Sequence, residues 1–211
     1  MLIWPEEKIK KLSEINLNPL RIAFDDIHLK DIYVEKIRLA AKYGLSNLSN
    51  YILYNFNDKP EDLYERLKIN VDLNAELGTK IYSFPMKYIP VNSPNRKYVG
   101  KHWSPKYIRA IQIVLNVIKG SVMPNPKFFK KAFGKNLDEF NKILLMPEDY
   151  IFYRFENERN GNTDNWWNGL SSLDSERHET ILNIIKENDF KSFDSSDENI
   201  MAVLKHYQRN R

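Results

Sequence analysis

Apolar positions over the first eighty-odd residues follow two alternating rhythms. Ile9, Leu12 and Ile15 recur at helical spacing behind Pro5, Glu6 and Glu7, which predicts a helix over 5–15 with acidic residues at the favoured end of its dipole. Residues 20–24 form a short apolar run followed by Asp25 and Asp26, a length that suits a buried strand. A second helical stretch, 32–43, carries Ile37, Ala40 and Ala41 on one side, with Gly44 as its left-handed stop. The pattern then repeats. Residues 48–56 are rich in strand formers, Asp58, Lys59, Pro60, Glu61 and Asp62 supply a helix start, and Leu63, Leu67, Val71 and Leu77 mark a buried stripe running to Gly78. A third strand, 80–84, is expected to end at Pro85.

Strands alternating with helices of this length call for a parallel sheet with helices packed outside it, because each parallel return needs a crossover. Three units are visible, fewer than the eight of a closed barrel. From 85 to 103 the chain turns to Pro, Asn, Lys, Tyr and Gly, a connection long enough to be functional or to join two parts. Beyond it only helical patterns remain, at 104–120, 126–133, 136–145, 148–156, 174–187 and 196–208; the turn-rich stretch 160–167 reads as a loop docked by Trp166 and Trp167. The fold class expected is therefore α/β: a partial (β/α) barrel with parallel strands over residues 1–90, then an all-helical C-terminal region over 91–211.

Charge and chemistry narrow the picture further. The chain has 211 residues with 32 Lys and Arg against 28 Asp and Glu, a net +4. This mild basic bias, spread along the chain with no block of like charges, permits a phosphate or nucleic-acid partner without requiring one. With no cysteine there is no disulfide, thiolate metal site or thiol nucleophile. The N-terminus turns charged after four residues, unlike a leader peptide, and no apolar run approaches the ~18 residues of a membrane helix. A soluble cytoplasmic protein is expected. His28, His102, His178 and His206 are scattered without metal-ligand spacing, and the Gly-x-Ser-x-Gly, Walker, dinucleotide and His-Glu-x-x-His motifs are absent.

In a parallel sheet, chemistry gathers at the C-terminal ends of the strands. That rule selects Asp25, Asp26 and His28 after the first strand, Asn55 and Asn57 after the second, and Ser83, Met86 and Lys87 after the third. Cap and turn roles account for the same Asp and Asn residues without any ligand. The loop 92–103, with Arg96, Lys97, Tyr98, Lys101, His102 and Trp103, interleaves basic and aromatic residues as single-strand nucleic-acid binders do. A solvated loop anchored by one tryptophan explains it equally. The cluster Phe128, Phe129 and Phe133 has helical spacing and reads as core.

One stretch carries a family resemblance. Asn50-Tyr51-Ile52-Leu53-Tyr54-Asn55-Phe56-Asn57-Asp58-Lys59-Pro60-Glu61-Asp62-Leu63 resembles the late strand-loop-helix unit of radical SAM proteins. Arg21-Ile22-Ala23-Phe24-Asp25 before it and Ile81-Tyr82-Ser83-Phe84-Pro85-Met86-Lys87-Tyr88 after it look like one uncharacterised branch of that superfamily. The resemblance covers residues 1–90. It implies that Asp25, Asn55 and Asn57 contact S-adenosylmethionine; strand-end position makes His28, Ser83, Met86 and Lys87, and the basic-aromatic loop makes Arg96 and Trp103, the candidates to face a substrate or partner. The departures are equally specific: Asn55, Asn57 and Lys59-Pro60 stand where the family has glycines and a Glu-Thr, and the Cys-x3-Cys-x2-Cys loop of the four-iron cluster is missing. The resemblance thus implies a C-terminal fragment, inactive alone, whose 4Fe-4S cluster would come from another chain. Its expected partners are an N-terminal half-barrel or a second copy of itself. The competing expectation is a non-catalytic module that binds nucleic acid or protein.

Overall fold

The computed structural model describes residues 5–15, 17–190 and 196–208; the first four residues, read above as too short for a leader, lie outside it. The chain divides into two compact units, Met1–Trp103 with Ile118–Phe140, and Ser104–Val117 with Asn141–Arg211. In chain order the first stretch contains α1 (Glu6–Ser13), β1 (Leu20–Arg21), α2 (Lys30–Lys42), β2 (Asn47–Tyr54), α3 (Pro60–Leu77) and β3 (Lys80–Lys87). Then follow α4 (Pro105–Val117), α5 (Pro126–Phe133), α6 (Leu137–Leu145), α7 (Glu148–Phe152), α8 (Arg154–Arg159), α9 (Asn162–Ser171), α10 (Ser175–Glu187) and α11 (Glu198–Leu204).

The protein is α/β, and its three strands form one open parallel sheet in the order β1-β2-β3. Leu48, Asn50, Ile52 and Tyr54 of β2 and Ile81, Ser83 and Pro85 of β3 alternate onto one buried face. α2 and α3 supply the cover: Ile9, Leu20, Phe24, Tyr33, Ile37, Leu48, Leu73 and Ile81 share a single core, with the Phe24 and Tyr33 rings stacked at 4.1 Å. The opposite face stays partly open. Tyr51 is 45% and Met86 48% exposed there, Tyr51 leans on Phe84 at 5.8 Å, and the Arg21 guanidinium lies 6.0 Å from the Tyr51 ring centre.

Two strand ends differ from the sequence expectation, each for a local reason. β1 pairs over only two residues instead of five, although Ile22 N still donates to Ser49 O at 3.0 Å and Phe24 remains fully buried. β3 does not stop at Pro85 but runs on to Lys87, with Pro85 paired in register with Ile52. Lys80 N and Tyr88 N donate toward β2, to Ser46 O and Tyr54 O, so the ladder donors of β3 are its even-numbered residues and the missing N–H of Pro85 falls on the outer side.

Helix α3 is set by its ends. Lys59 N donates to the Asp62 carboxylate at 2.8 Å, Pro60 occupies the first turn, and Gly78 closes the helix at φ 65°. Asn74 then clamps the start of β3, accepting from Ile81 N at 2.7 Å and donating to Ile81 O at 3.2 Å.

The second unit is helical among its described residues. α4 packs against α7 and α10, and α9 against α11. Of the stretch 160–167, expected to be a docked loop, residues 162–167 belong instead to α9, with Gly161 as its N-cap. Thr163, Trp166 and Leu170 fall at helical spacing and are buried, and that burial outweighs the poor helix propensity of its asparagines. The single helix expected at 148–156 is two, α7 and α8, separated at Tyr153. Trp166 Nε1 donates to Tyr207 Oη at 3.0 Å, and Tyr207 Oη donates to Leu145 O at 2.8 Å. No helix among the described residues is long and apolar enough to cross a membrane.

Candidate functional site

The C-terminal ends of the strands are gathered by a residue the motif reading did not select. Arg66 sits within the buried stripe of α3 and is fully inaccessible to solvent. Its Nη1 donates to the carbonyls of Phe24 (3.2 Å), Asp25 (2.9 Å) and Leu53 (2.9 Å), its Nε to Asp62 O (3.1 Å), and its Nη2 to the Asp58 carboxylate (2.9 Å). One planar donor fork thus ties the chain after β1, the end of β2 and the β2–α3 turn. Burial pulls the Arg66 pKa below its ordinary value, while the carboxylates of Asp58, Asp25 and Asp62 push it back up. Burial likewise raises Asp58, against the pull of the Phe56 N–H and of Arg66. Both shifts have the same cause: neither charge is adequately solvated by water, and each depends on the other.

Asn55 directs the next layer. It takes the left-handed conformation at φ 70°, which asparagine tolerates better than most residues, and its side chain is completely buried. Nδ2 donates to Tyr88 O and Tyr98 O, both at 3.1 Å, and Oδ1 accepts from Gly100 N at 2.8 Å. The amide is therefore committed to holding the 88–100 loop over the end of β2. Gly100 must be a glycine for this approach, since a Cβ there would lie 2.6 Å from Phe56 O and 2.9 Å from Asn55 O. Trp103 closes the loop; its ring is buried against Tyr54 at 5.4 Å, and its Nε1 donates to Asp58 O at 2.9 Å.

The remaining predicted residues fall into three groups. Asp25 is exposed and accepts from Leu53 N through Oδ1 at 2.9 Å, which ties β1 to β2; Asp26 caps the short 3-10 turn containing His28, whose residue is exposed; Asn57 is exposed on the β2–α3 turn. Lys87 and Arg96 come together, Lys87 Nζ donating to Arg96 O at 3.0 Å; burial and the Arg96 charge both lower the Lys87 pKa. Met86 points onto the part-open face of the sheet. Ser83 lies four residues before the end of β3 and faces the helices, where its Oγ accepts from Asn70 Nδ2 at 2.8 Å. Tyr33 Oη donates to Asn70 Oδ1 at 2.7 Å and accepts from Asn50 Nδ2 at 3.0 Å, so Ser83 is part of an interior polar network rather than of the strand-end opening.

The structure thus brings Asp25, Asn55 and Asn57 to one end of the sheet, with Lys87 at the end of β3 and Arg96 and Trp103 on the loop stapled beside them. Arg66, Asp58 and Gly100 are the residues that sequence reasoning passed over. An arginine within an apolar helical stripe was the available signal. Among the described residues no group of three or more His, Asp or Glu side chains is placed to hold a metal ion, and the chain has no cysteine. The fold defines an α/β protein with an open parallel sheet and a pre-shaped strand-end surface. No family model, curated protein or solved structure matches the chain.

Proposed function

We propose that this chain is the C-terminal (β/α) segment of a radical-SAM-like barrel, whose complete form reductively cleaves S-adenosylmethionine for radical chemistry on a substrate and which is inactive alone. The observation that supports this reading is the winding. Three consecutive parallel strands are neighbours in chain order, with α2 and α3 on one face and a part-open face opposite. A barrel advances in one direction in this way, as does each half of a doubly wound sheet up to its switch point. A parallel sheet ordinarily has both faces covered, so the open face is consistent with strands supplied from elsewhere.

The cluster does not fit this chain. Iron-sulfur ligation needs thiolates, and none is present. S-adenosylmethionine fits in part: Asp25 and Asn57 present exposed polar groups at the strand ends, while Asn55 acts by shaping the loop, its amide being already committed. The cofactor supplies the radical chemistry, and these residues hold and orient its polar parts.

The test is assembly. The chain is expressed with the product of the reading frame immediately upstream, iron and sulfide are reconstituted, and 5′-deoxyadenosine is measured. Release that requires both chains, one of them bearing Cys-x3-Cys-x2-Cys, supports the reading. A neighbouring frame without those cysteines, or a co-purified pair that releases none, removes it. A monodisperse monomer of this chain alone would also count against it, since the open sheet invites self-association.

A further inference from the structure

The net charge of +4 conceals a very uneven distribution. The sixty-one residues from 77 to 137 contain twelve Lys or Arg and no Asp or Glu, so the segment carries +12 and the remaining 150 residues carry −8. Lys106 and Arg109 of this segment belong to the second unit; the other ten cations belong to the unit that holds the sheet. Arg96, Lys97, Lys101, Lys127 and Lys130 are all exposed, and Lys87 is half-buried. Several exposed cations elsewhere have carboxylates beside them, as in Lys42 with Glu6, Arg38 with Glu76 and Lys68 with Asp72, and within the segment Lys135 pairs with Glu139 and Arg109 with Glu148. Lys87 has instead a carbonyl and a second cation.

Two parts of this acid-free segment are fastened to the same end of the sheet. The 88–103 loop is held there by Asn55 and by Trp103 on Asp58. Helix α5 is held on the first turns of α3, where Phe129 meets Tyr64 at 5.3 Å and Tyr64 Oη donates to Gly134 O at 3.3 Å. The buried side of α5 is Phe129 and Phe133, which leaves its lysines outward. Phe56, 43% exposed, lies on the turn between these attachments, with Tyr88 at 4.5 Å and Tyr98 beyond it.

We propose that this surface binds single-stranded nucleic acid, with Arg96, Lys97 and Lys101 of the loop and Lys127 and Lys130 of α5 on successive phosphates and the Phe56 ring as a stacking platform. A lone phosphate or carboxylate would use two or three of these cations, whereas a strand with a repeating charge uses them all, and an exposed ring beside them stacks any base. The inference stands on this chain's own residues and is independent of the radical-SAM reading.

The test is fluorescence anisotropy of the full chain with a labelled oligothymidylate of about twenty nucleotides, titrated at salt concentrations from about 50 to 200 mM. The expected slope of log K against log salt is about −3 or steeper, corresponding to at least four phosphates. K97Q/K101Q and K127Q/K130Q should each weaken binding by about fivefold or more and flatten that slope, while K8Q/K10Q on α1 should leave both unchanged. Absence of saturable binding at the lowest salt, equal loss in the α1 variant, or preference for a duplex of the same sequence would overturn the proposal. Displacement of the oligonucleotide by inorganic phosphate with a slope near −1 would also overturn it, by revealing a site for a single small anion.

Discussion

Among the described residues each of the two units buries one basic side chain completely, and they meet the cost in opposite ways. Arg66 in the sheet unit keeps its charge, with the Asp58 carboxylate at 2.9 Å and four further bonds to backbone carbonyls. Lys106 in the helical unit has a hydrogen bond to Met146 O at 2.5 Å, and its Nζ lies 5.9 Å from the centre of the Tyr207 ring. Burial pushes the Lys106 pKa down to about 7; Glu148 opposes that shift and Arg109 adds to it. A guanidinium that cannot lose its proton requires a fully built acceptor cage, while an amine can be accommodated by giving its proton up. The cage ties strand ends together, and the amine does not.

The largest expected effect breaks the cage. Arg66→Met leaves Asp58 buried without its counter-charge and frees the carbonyls of Phe24, Asp25 and Leu53, and it should cost about 4 kcal/mol in chemical denaturation. A double variant, Arg66→Met with Asp58→Asn, should recover part of that loss.

Lys106→Met should do the reverse and stabilise the protein, by about 3 kcal/mol at pH 7 and below. The sign follows from the folded pKa lying below the ordinary 10.5: between the two values the unfolded chain binds more protons, so wild-type stability rises with pH. The benefit of the substitution should therefore shrink as pH climbs from 7 toward 10.5, and parallel denaturation curves of both proteins across that window check it. A constant difference would mean that Lys106 is not titrating there.

Gly100→Ala places a methyl group against the backbone at Phe56 and Asn55, which cannot swing aside as a side chain would, and should cost about 2 kcal/mol. Faster proteolytic cleavage within 88–100 would report the loosened loop. At the small end, Arg38→Ala should change stability by no more than about 0.5 kcal/mol, because its pair with Glu76 is half exposed. A larger loss at Arg38 than at Gly100 would invert the contrast between surface and strand-end contacts.

Much of the sheet unit was legible from sequence because its rhythms are local. The α2 and α3 stripes, Pro60 at a helix start and Gly44 and Gly78 at helix stops each encode their element within a few residues. The two misplaced strand ends depended on which side of the ladder a given N–H faces, which neither composition nor periodicity specifies. α9 was hidden because asparagine-rich stretches resemble loops until tertiary burial of Trp166 is known. At the site, strand-end position was readable and hydrogen-bond commitment was not. Nothing local marks Asn55 as a staple for Gly100, forty-five residues on, or Arg66 as the partner of three carbonyls from two other segments.

The outer margin of β3 bears on how this sheet can grow. Ile81 spends its outward N–H on Asn74, Ser83 exchanges both backbone groups with Val122, and Pro85 has no N–H to offer. That side is plugged at three alternate positions in a row, a natural guard against further pairing. Along β1, by contrast, no such plug is found among the described residues. Any newcomer strand, whether a rightful companion or a misassembled copy, would find the β3 margin without a run of free backbone donors and acceptors.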